Sequence, residues 1–245
     1  NDIFPIHQTL GAWTAAEQGA IFFENIANEN TTSSRQLIIH EIMGRNCGWL
    51  TSATAKEYRR KIERKRFLPS ILISPERWDI DAIYLPEMDI DINVEADRLK
   101  RRMDQKDSVN IFFSEGAGLK SIIGELESKG EEVPRDAFGH IRLEEINPGQ
   151  WFAKQFAKKI KSDKVLVQKS GYFARSSKAN KKDLKLIFDS SDAAVKYALE
   201  KKSGVIGLDE AFNNNLRCIE FNRIKGGKPF DIATDWFQKI LKDIG

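Results

Sequence analysis

Apolar positions along the chain switch repeatedly between two periods. From Thr9 to Asn28 they fall at Leu10, Trp13, Ala16, Ala20, Phe23 and Ile26, the three-and-four spacing of one helix face. The polar stretch Asn28–Ser34 reads as a loop. Leu37, Ile38, Ile39 and Ile42 then form a short apolar run with no turn residue, which predicts a buried strand of the parallel kind. It breaks at Met43-Gly44-Arg45, and a helix opens near Gly48 that ends in the basic cluster Tyr58–Arg66. Further strands are predicted at Ser70–Ser74, Ala82–Leu85, Val109–Phe113 and Lys164–Gln168. Between them lie helices at Val94–Met103 and at Phe138–Lys161, the second divided by Pro148-Gly149. Lys181–Lys201 is a long helix with Asp183 in its first turn, where the dipole favours an acid. Val205–Leu208 and Leu216–Phe221 read as paired strands around an Asn213–Asn215 turn, and Asp235–Ile244 as a final helix. Strands alternating with helices give an α/β fold, three-layer αβα with mostly parallel sheets.

Composition narrows the class. The 245 residues carry 39 Lys and Arg against 36 Asp and Glu, a net charge of +3 that gives no general pull toward nucleic acid or a membrane surface. No apolar run approaches the roughly 20 residues that span a bilayer, and no signal peptide is visible. Cys47 and Cys218 lie far apart with no framework spacing, so reduced thiols and a cytoplasmic location are expected.

Three strand-end turns share one chemical character: Met43-Gly44-Arg45, Ser114-Glu115-Gly116 and Gly171-Tyr172-Phe173-Ala174-Arg175. In an open α/β sheet the loops beyond the carboxyl ends of strands hold ligands. Gly44 lets backbone approach a ligand, and Arg45 and Arg175 offer donor forks that suit phosphate. Glu115 suits sugar hydroxyls, which donate hydrogen bonds. Each turn alone is common on surfaces. Together they describe a sugar-phosphate site.

Other candidates are weaker. Glu57 and Glu63 interrupt the Tyr58–Arg66 cluster and no aromatic ladder accompanies it, so a solvated helix face is the better reading than a nucleic-acid patch. His7, His40 and His140 lack metal-ligand spacing, and His40 reads as a packed strand residue. Asp79, Asp81, Asp89 and Asp91 miss the EF-hand spacing and read as a solvated acidic face. Gly226-Gly227-Lys228 lacks the rest of a P-loop and reads as a turn. Trp13, Trp49, Trp78, Trp151 and Trp236 read as core or interface aromatics.

The string Glu41–Thr51 resembles the Met-Gly-Arg signature of the phosphofructokinases. Asn1-Asp2-Ile3 is similar to the tail of that family's Thr-Ile-Asp-Asn-Asp motif, Gly11–Ala15 to the helix after it, and Pro86-Glu87 to a family strand end. The stretch Val167–Ser176, with serines after Arg175 where ATP-using relatives have glycines, looks like the bacterial pyrophosphate-dependent branch. The resemblance implies the family's two-lobe architecture and transfer of a phosphoryl group from pyrophosphate to the 1-hydroxyl of fructose 6-phosphate, with Mg2+. ATP as donor, or a non-catalytic sugar-phosphate-binding regulatory subunit, are the alternatives. It implies sugar-phosphate contacts at Met43, Gly44, Arg45, Glu115, Tyr172 and Arg175, and places Asp2 beside the donor and its metal.

The family's general-base aspartate stands immediately before the position of Asn1, and neither it nor the glycine-rich donor loop is in these residues. The chain is therefore expected to be a piece of a longer polypeptide, incomplete at its N-terminus, inactive alone and with exposed apolar surface. By resemblance, residues 1–12 are a remnant of the donor lobe, 13–170 form the sugar-phosphate lobe, 171–221 return to the donor lobe and 222–245 cross back. A homo-oligomer with sites near subunit interfaces is implied, and Arg35 is a candidate to reach across.

Overall fold

The computed structural model describes residues 1–68, 70, 73–139 and 141–245. In chain order the elements are β1 (Ile3–Phe4), α1 (Ala12–Ala27), β2 (Gln36–Ile42), α2 (Trp49–Arg64), β3 (Ala82–Tyr84), α3 (Ile92–Lys106), β4 (Ser108–Ser114) and α4 (Leu119–Ser128). They continue with α5 (Leu143–Ile146), α6 (Pro148–Ala157), β5 (Lys164–Lys169), α7 (Gly171–Arg175), α8 (Lys181–Leu199), β6 (Val205–Asp209), β7 (Asn215–Ile219), β8 (Lys225–Gly226) and α9 (Asp235–Ile244).

The centre is a four-stranded, all-parallel sheet in the order β3-β4-β2-β5. All seven residues of β2 are buried because β4 and β5 flank it and helices cover both faces. Alternation along the strand assigns each residue to a layer. Ile38 and Ile42 join Ala20, Phe23, Ala55, Tyr58 and Phe112 beneath α1 and α2. Leu37 and Ile39 join Leu99, Met103, Phe113, Phe152 and Phe156 beneath α3 and α6. The α/β, three-layer expectation holds, with α9 adding Phe237, Ile240 and Ile244 to the first layer.

The second region is small and antiparallel. β6 and β7 form a hairpin joined by Glu210–Asn214, a 3-10 turn followed by Asn213 and Asn214, whose positive φ values reverse the chain into β7. β1 pairs with β8, and Ile6 bridges Asp209, so the start of the chain packs against residues more than 200 positions away.

Several expectations need correction. Phe138–Lys161 is helical only over α5 and α6, and Phe138 is 87% exposed. Leu119–Ser128 forms α4, an element that the hydrophobic pattern does not predict. Gly171–Arg175 is a short helix rather than an open turn, and Gly226 belongs to β8. The strand expected at Ser70–Ser74 rests on Ile71 and Leu72, which lie outside the described residues, as does His140. The acidic cluster is a solvated face only in part: Asp89 and Asp91 are exposed, but Asp81 is not. Asp81 is 2% exposed, paired with Lys106 at 2.9 Å and accepting from Asn110 N, while Asp91 caps α3. A buried carboxylate needs such partners, and α3 and β4 supply them across a fold the spacing alone did not show. Asp183 is likewise fully buried, accepting from Gly11 N, Thr14 N and Thr14 Oγ1 instead of simply facing a dipole. Arg35 lies at the amino end of β2, donating to Lys161 O and Ile160 O of its own chain and pairing with Asp104. Exposed apolar side chains are present, with Phe188, Val195 and Leu199 on α8.

Candidate functional site

The site is built by three parallel strands that end side by side. β4, β2 and β5 are neighbours in the sheet, so the turns after Ser114, Ile42 and Lys169 emerge at one carboxyl edge. The register Ile42↔Ser114 and Glu41↔Lys169 sets their heights.

Gly44 has φ +144°, and a Cβ there would stand 2.5 Å from Cys47 O and 2.6 Å from Ser114 Oγ. Only glycine fits that crossing. Gly44 N donates to Glu115 Oε1 at 3.3 Å, the Ser114 hydroxyl donates to Gly44 O, and Glu115 N donates to Ile42 O at 2.9 Å. The Met-Gly-Arg turn and the glutamate turn are thus one hydrogen-bonded unit. Gly116 packs so closely on the Arg45 carbonyl that a Cβ would overlap it. Met43 reaches the other way, its side chain against Gly171 at the start of α7.

Arg45 is exposed and lines a cavity of about 390 Å³ with Asn46, Glu87, Gly116 and Lys120 on the β3–β4 side. Tyr172 and Arg175 stand beyond β5, both exposed, with the guanidinium carbon 5.8 Å from the tyrosine ring centre. Glu115 is half-buried and has no ion-pair partner among the described residues. Below it, Glu41 pairs with Lys169 at 3.0 Å. Burial pushes the Glu41 carboxyl above its usual range, Lys169 opposes that, and the Glu115 charge adds to it. Asp2 is exposed. Its neighbour Asn1 accepts a long 3.8 Å contact from the Cys47 thiol, so the N-terminal segment does reach the turn that carries Arg45. Burial pushes that thiol up, and the charges of Glu87 and Asp2 add to the shift.

Glu87 is a residue whose role the sequence did not reveal. Its carboxylate accepts from Gly48 N at 2.9 and 3.1 Å and from Phe230 N at 2.7 Å, fixing the start of α2 directly behind Arg45. Its partner Phe230 is 143 positions away, so no local pattern could announce it.

The residues present do not by themselves fit Mg2+. No group of three His, Cys, Asp or Glu side chains converges among the described residues, and Asp2 is a single exposed carboxylate.

The family profile "Phosphofructokinase" matches residues 1–198. The chain belongs to the phosphofructokinase family. A pyrophosphate–fructose 6-phosphate 1-phosphotransferase of Methylomonas methanica is 57% identical over all 245 residues, and one of Mastigamoeba balamuthi is 51% identical over the same span. The chain spans about 60% of the length of these curated relatives. Among solved structures, the pyrophosphate-dependent phosphofructokinase of Nitrosospira multiformis matches with a TM-score of 0.57 at 15% identity, over 96% of this chain and 54% of that one. This likeness shows the phosphofructokinase fold, and the family expected from the sequence is borne out.

Proposed function

We propose that this chain supplies the sugar-phosphate half of the site in an enzyme that moves a phosphoryl group from pyrophosphate to the 1-hydroxyl of fructose 6-phosphate. The observation that carries the reading is the Gly44 N–Glu115 hydrogen bond, which welds a guanidinium-bearing turn to a carboxylate-bearing turn on adjacent parallel strands. The relatives' names support the substrate pair and the donor.

Arg45 and Arg175 neutralise the sugar phosphate, and Tyr172 adds a hydroxyl donor beside Arg175. Glu115 keeps one oxygen on Gly44 N and turns the other to a sugar hydroxyl. Met43 packs between the turn and α7, setting the distance between the two phosphate-binding segments. Phosphoryl transfer asks a protein chiefly for positioning and charge stabilisation, which is what these residues offer the acceptor. Asp2 lies toward the donor side. These 245 residues are expected to bind fructose 6-phosphate through those contacts. The Ile6–Asp209 bridge, which joins the segment before residue 12 to the one after residue 170, supports a division of the chain at residues 12, 170 and 221 between two lobes, and assembly into a homo-oligomer would suit the exposed Tyr172 and Arg175. Two free cysteines suit the cytoplasm.

The test is phosphotransfer to fructose 6-phosphate by the chain extended through its upstream sequence, with pyrophosphate and with ATP as donors. Turnover with pyrophosphate, falling about 100-fold or more in kcat/KM for Arg45→Ala, is the expected result, since a lost charge-assisted phosphate contact removes several kcal/mol. Turnover with ATP alone reverses the donor. Binding of the sugar phosphate with no turnover by either donor identifies a regulatory subunit instead.

A further inference from the structure

A second cavity, of about 1060 Å³, opens between α1, α2, the start of α8 and the start of α9. None of the residues assigned above to the sugar phosphate lines it. Its walls include Trp13, Trp49 and Trp236, and its rim carries Lys56, Lys178, Lys181 and Lys182.

The charge there is unbalanced for structural reasons. Lys181 and Lys182 are the first two residues of α8, the positive end of the helix dipole, where cations are unfavourable. The one acid of that first turn, Asp183, is turned inward and committed to Gly11 and Thr14. Nearby carboxylates are committed too. Glu57 pairs with Arg60 at 2.7 Å, and Glu17 accepts from Asn180 Nδ2 at 2.8 Å. None of the four lysines has an ion-pair partner among the described residues. Lys56 is half-buried, with its ammonium 4.5 Å from the centre of the Trp236 ring. Burial, then Arg60, hold its pKa below the usual lysine range; Glu57 opposes them and Lys182 adds to them. The lysines also sit on a fixed frame, because Asn180 N donates to Thr14 Oγ1 at 2.9 Å and Asn180 Oδ1 caps the helix.

We propose that this cavity binds a multivalent phosphate anion, one with two or more phosphoryl groups, at a site separate from the sugar-phosphate turns. Lys56, Lys181 and Lys182 take the charge. Lys181 and Lys182 stand at the amino end of α8, whose dipole adds to the positive field there. The tryptophan walls displace water and strengthen the attraction. Four lysines and Arg60 line the cavity against two carboxylates, Glu17 and Glu57, and the surplus of cations matches several phosphate charges better than one.

Inorganic tripolyphosphate, titrated into the 245-residue chain and followed by tryptophan fluorescence, tests this. A saturable change is expected, with orthophosphate about tenfold weaker or more. Affinity should fall about tenfold or more in Lys56→Met/Lys182→Met and in the fully surface-placed Lys182→Glu, and stay unchanged in Arg45→Ala. Melting curves show that each variant is folded. No saturable change, equal affinity in the lysine variants, or loss of binding in Arg45→Ala would overturn the proposal.

Discussion

His40 has both ring nitrogens without a hydrogen-bond partner and no exposed surface. It stacks on Phe23 at 5.3 Å and meets the edge of Phe112 at 4.9 Å, behaving as an aromatic in the α1–α2 layer. Burial depresses its pKa from the ordinary 6.5 to about 3. Folding therefore admits only the neutral ring. The contribution is fully present above pH 6.5 and is lost as pH falls toward 3, by an amount on the order of 4 kcal/mol at the low end. Urea unfolding across that window should show a shallower acid limb in His40→Leu than in the parent. An equal slope in both would exclude His40 as a source of acid sensitivity. The sequence could place His40 in a strand, because the run around it is local. It could also locate Met43, Gly44 and Arg45, whose function depends on adjacency along the chain. It could not give Glu87 its role, since Gly48 and Phe230 meet that carboxylate only through the fold.

Among the elements, α8 shows what anchors a long helix whose outer face is apolar and open. Phe188, Val195 and Leu199 contribute little burial, so the attachment rests on Leu186, on packing against the β6–β7 hairpin and on the first turn. Asp183 collects three hydrogen bonds from α1, two of them at 2.6 and 2.5 Å. Asp183→Ala strands those donors in the interior and should cost about 2–4 kcal/mol. Asp183→Asn, which keeps the acceptor oxygen, should recover part of it, as measured by the shift in denaturant midpoint at constant m-value. Element existence was legible wherever periodicity was strong and uninterrupted, as in α1, α9 and β4. α4 escaped because Gly116, Gly118 and Gly124 weaken the helical signal, although Ile122 is buried. Phe138–Lys161 was overextended because its aromatic and basic residues resemble a helix face, while the left-handed Asn147 separates two shorter ones.

For the molecule as a whole, two apolar layers on opposite faces of one sheet hold the carboxyl-edge turns in register. Phe152 joins Tyr84, Phe113 and Phe156 in the layer under α6, with ring centres between 5.3 and 5.9 Å. Phe152→Ala should cost about 3–5 kcal/mol in stability. Because Phe152 also fills the space against Gly118, beside the Glu115 turn, sugar-phosphate binding should weaken with it. Calorimetric melting and isothermal titration on the same sample test both effects. Loss of stability with unchanged affinity would show that the turns are held from the α1–α2 layer alone.

The pairing of β1 with β8 also has a consequence for biosynthesis. Ile3 and Phe4 find their strand partners only at Gly226 and Lys225, and Ile6 meets Asp209. A ribosome adding roughly 5–20 residues per second needs on the order of 10–40 s to deliver those partners after the first ones emerge. During that interval the central sheet can assemble while the segment bearing Asp2 trails without a mate. That nascent segment is then a natural client for a holding chaperone, and a translational pause before residue 209 would lengthen its exposure.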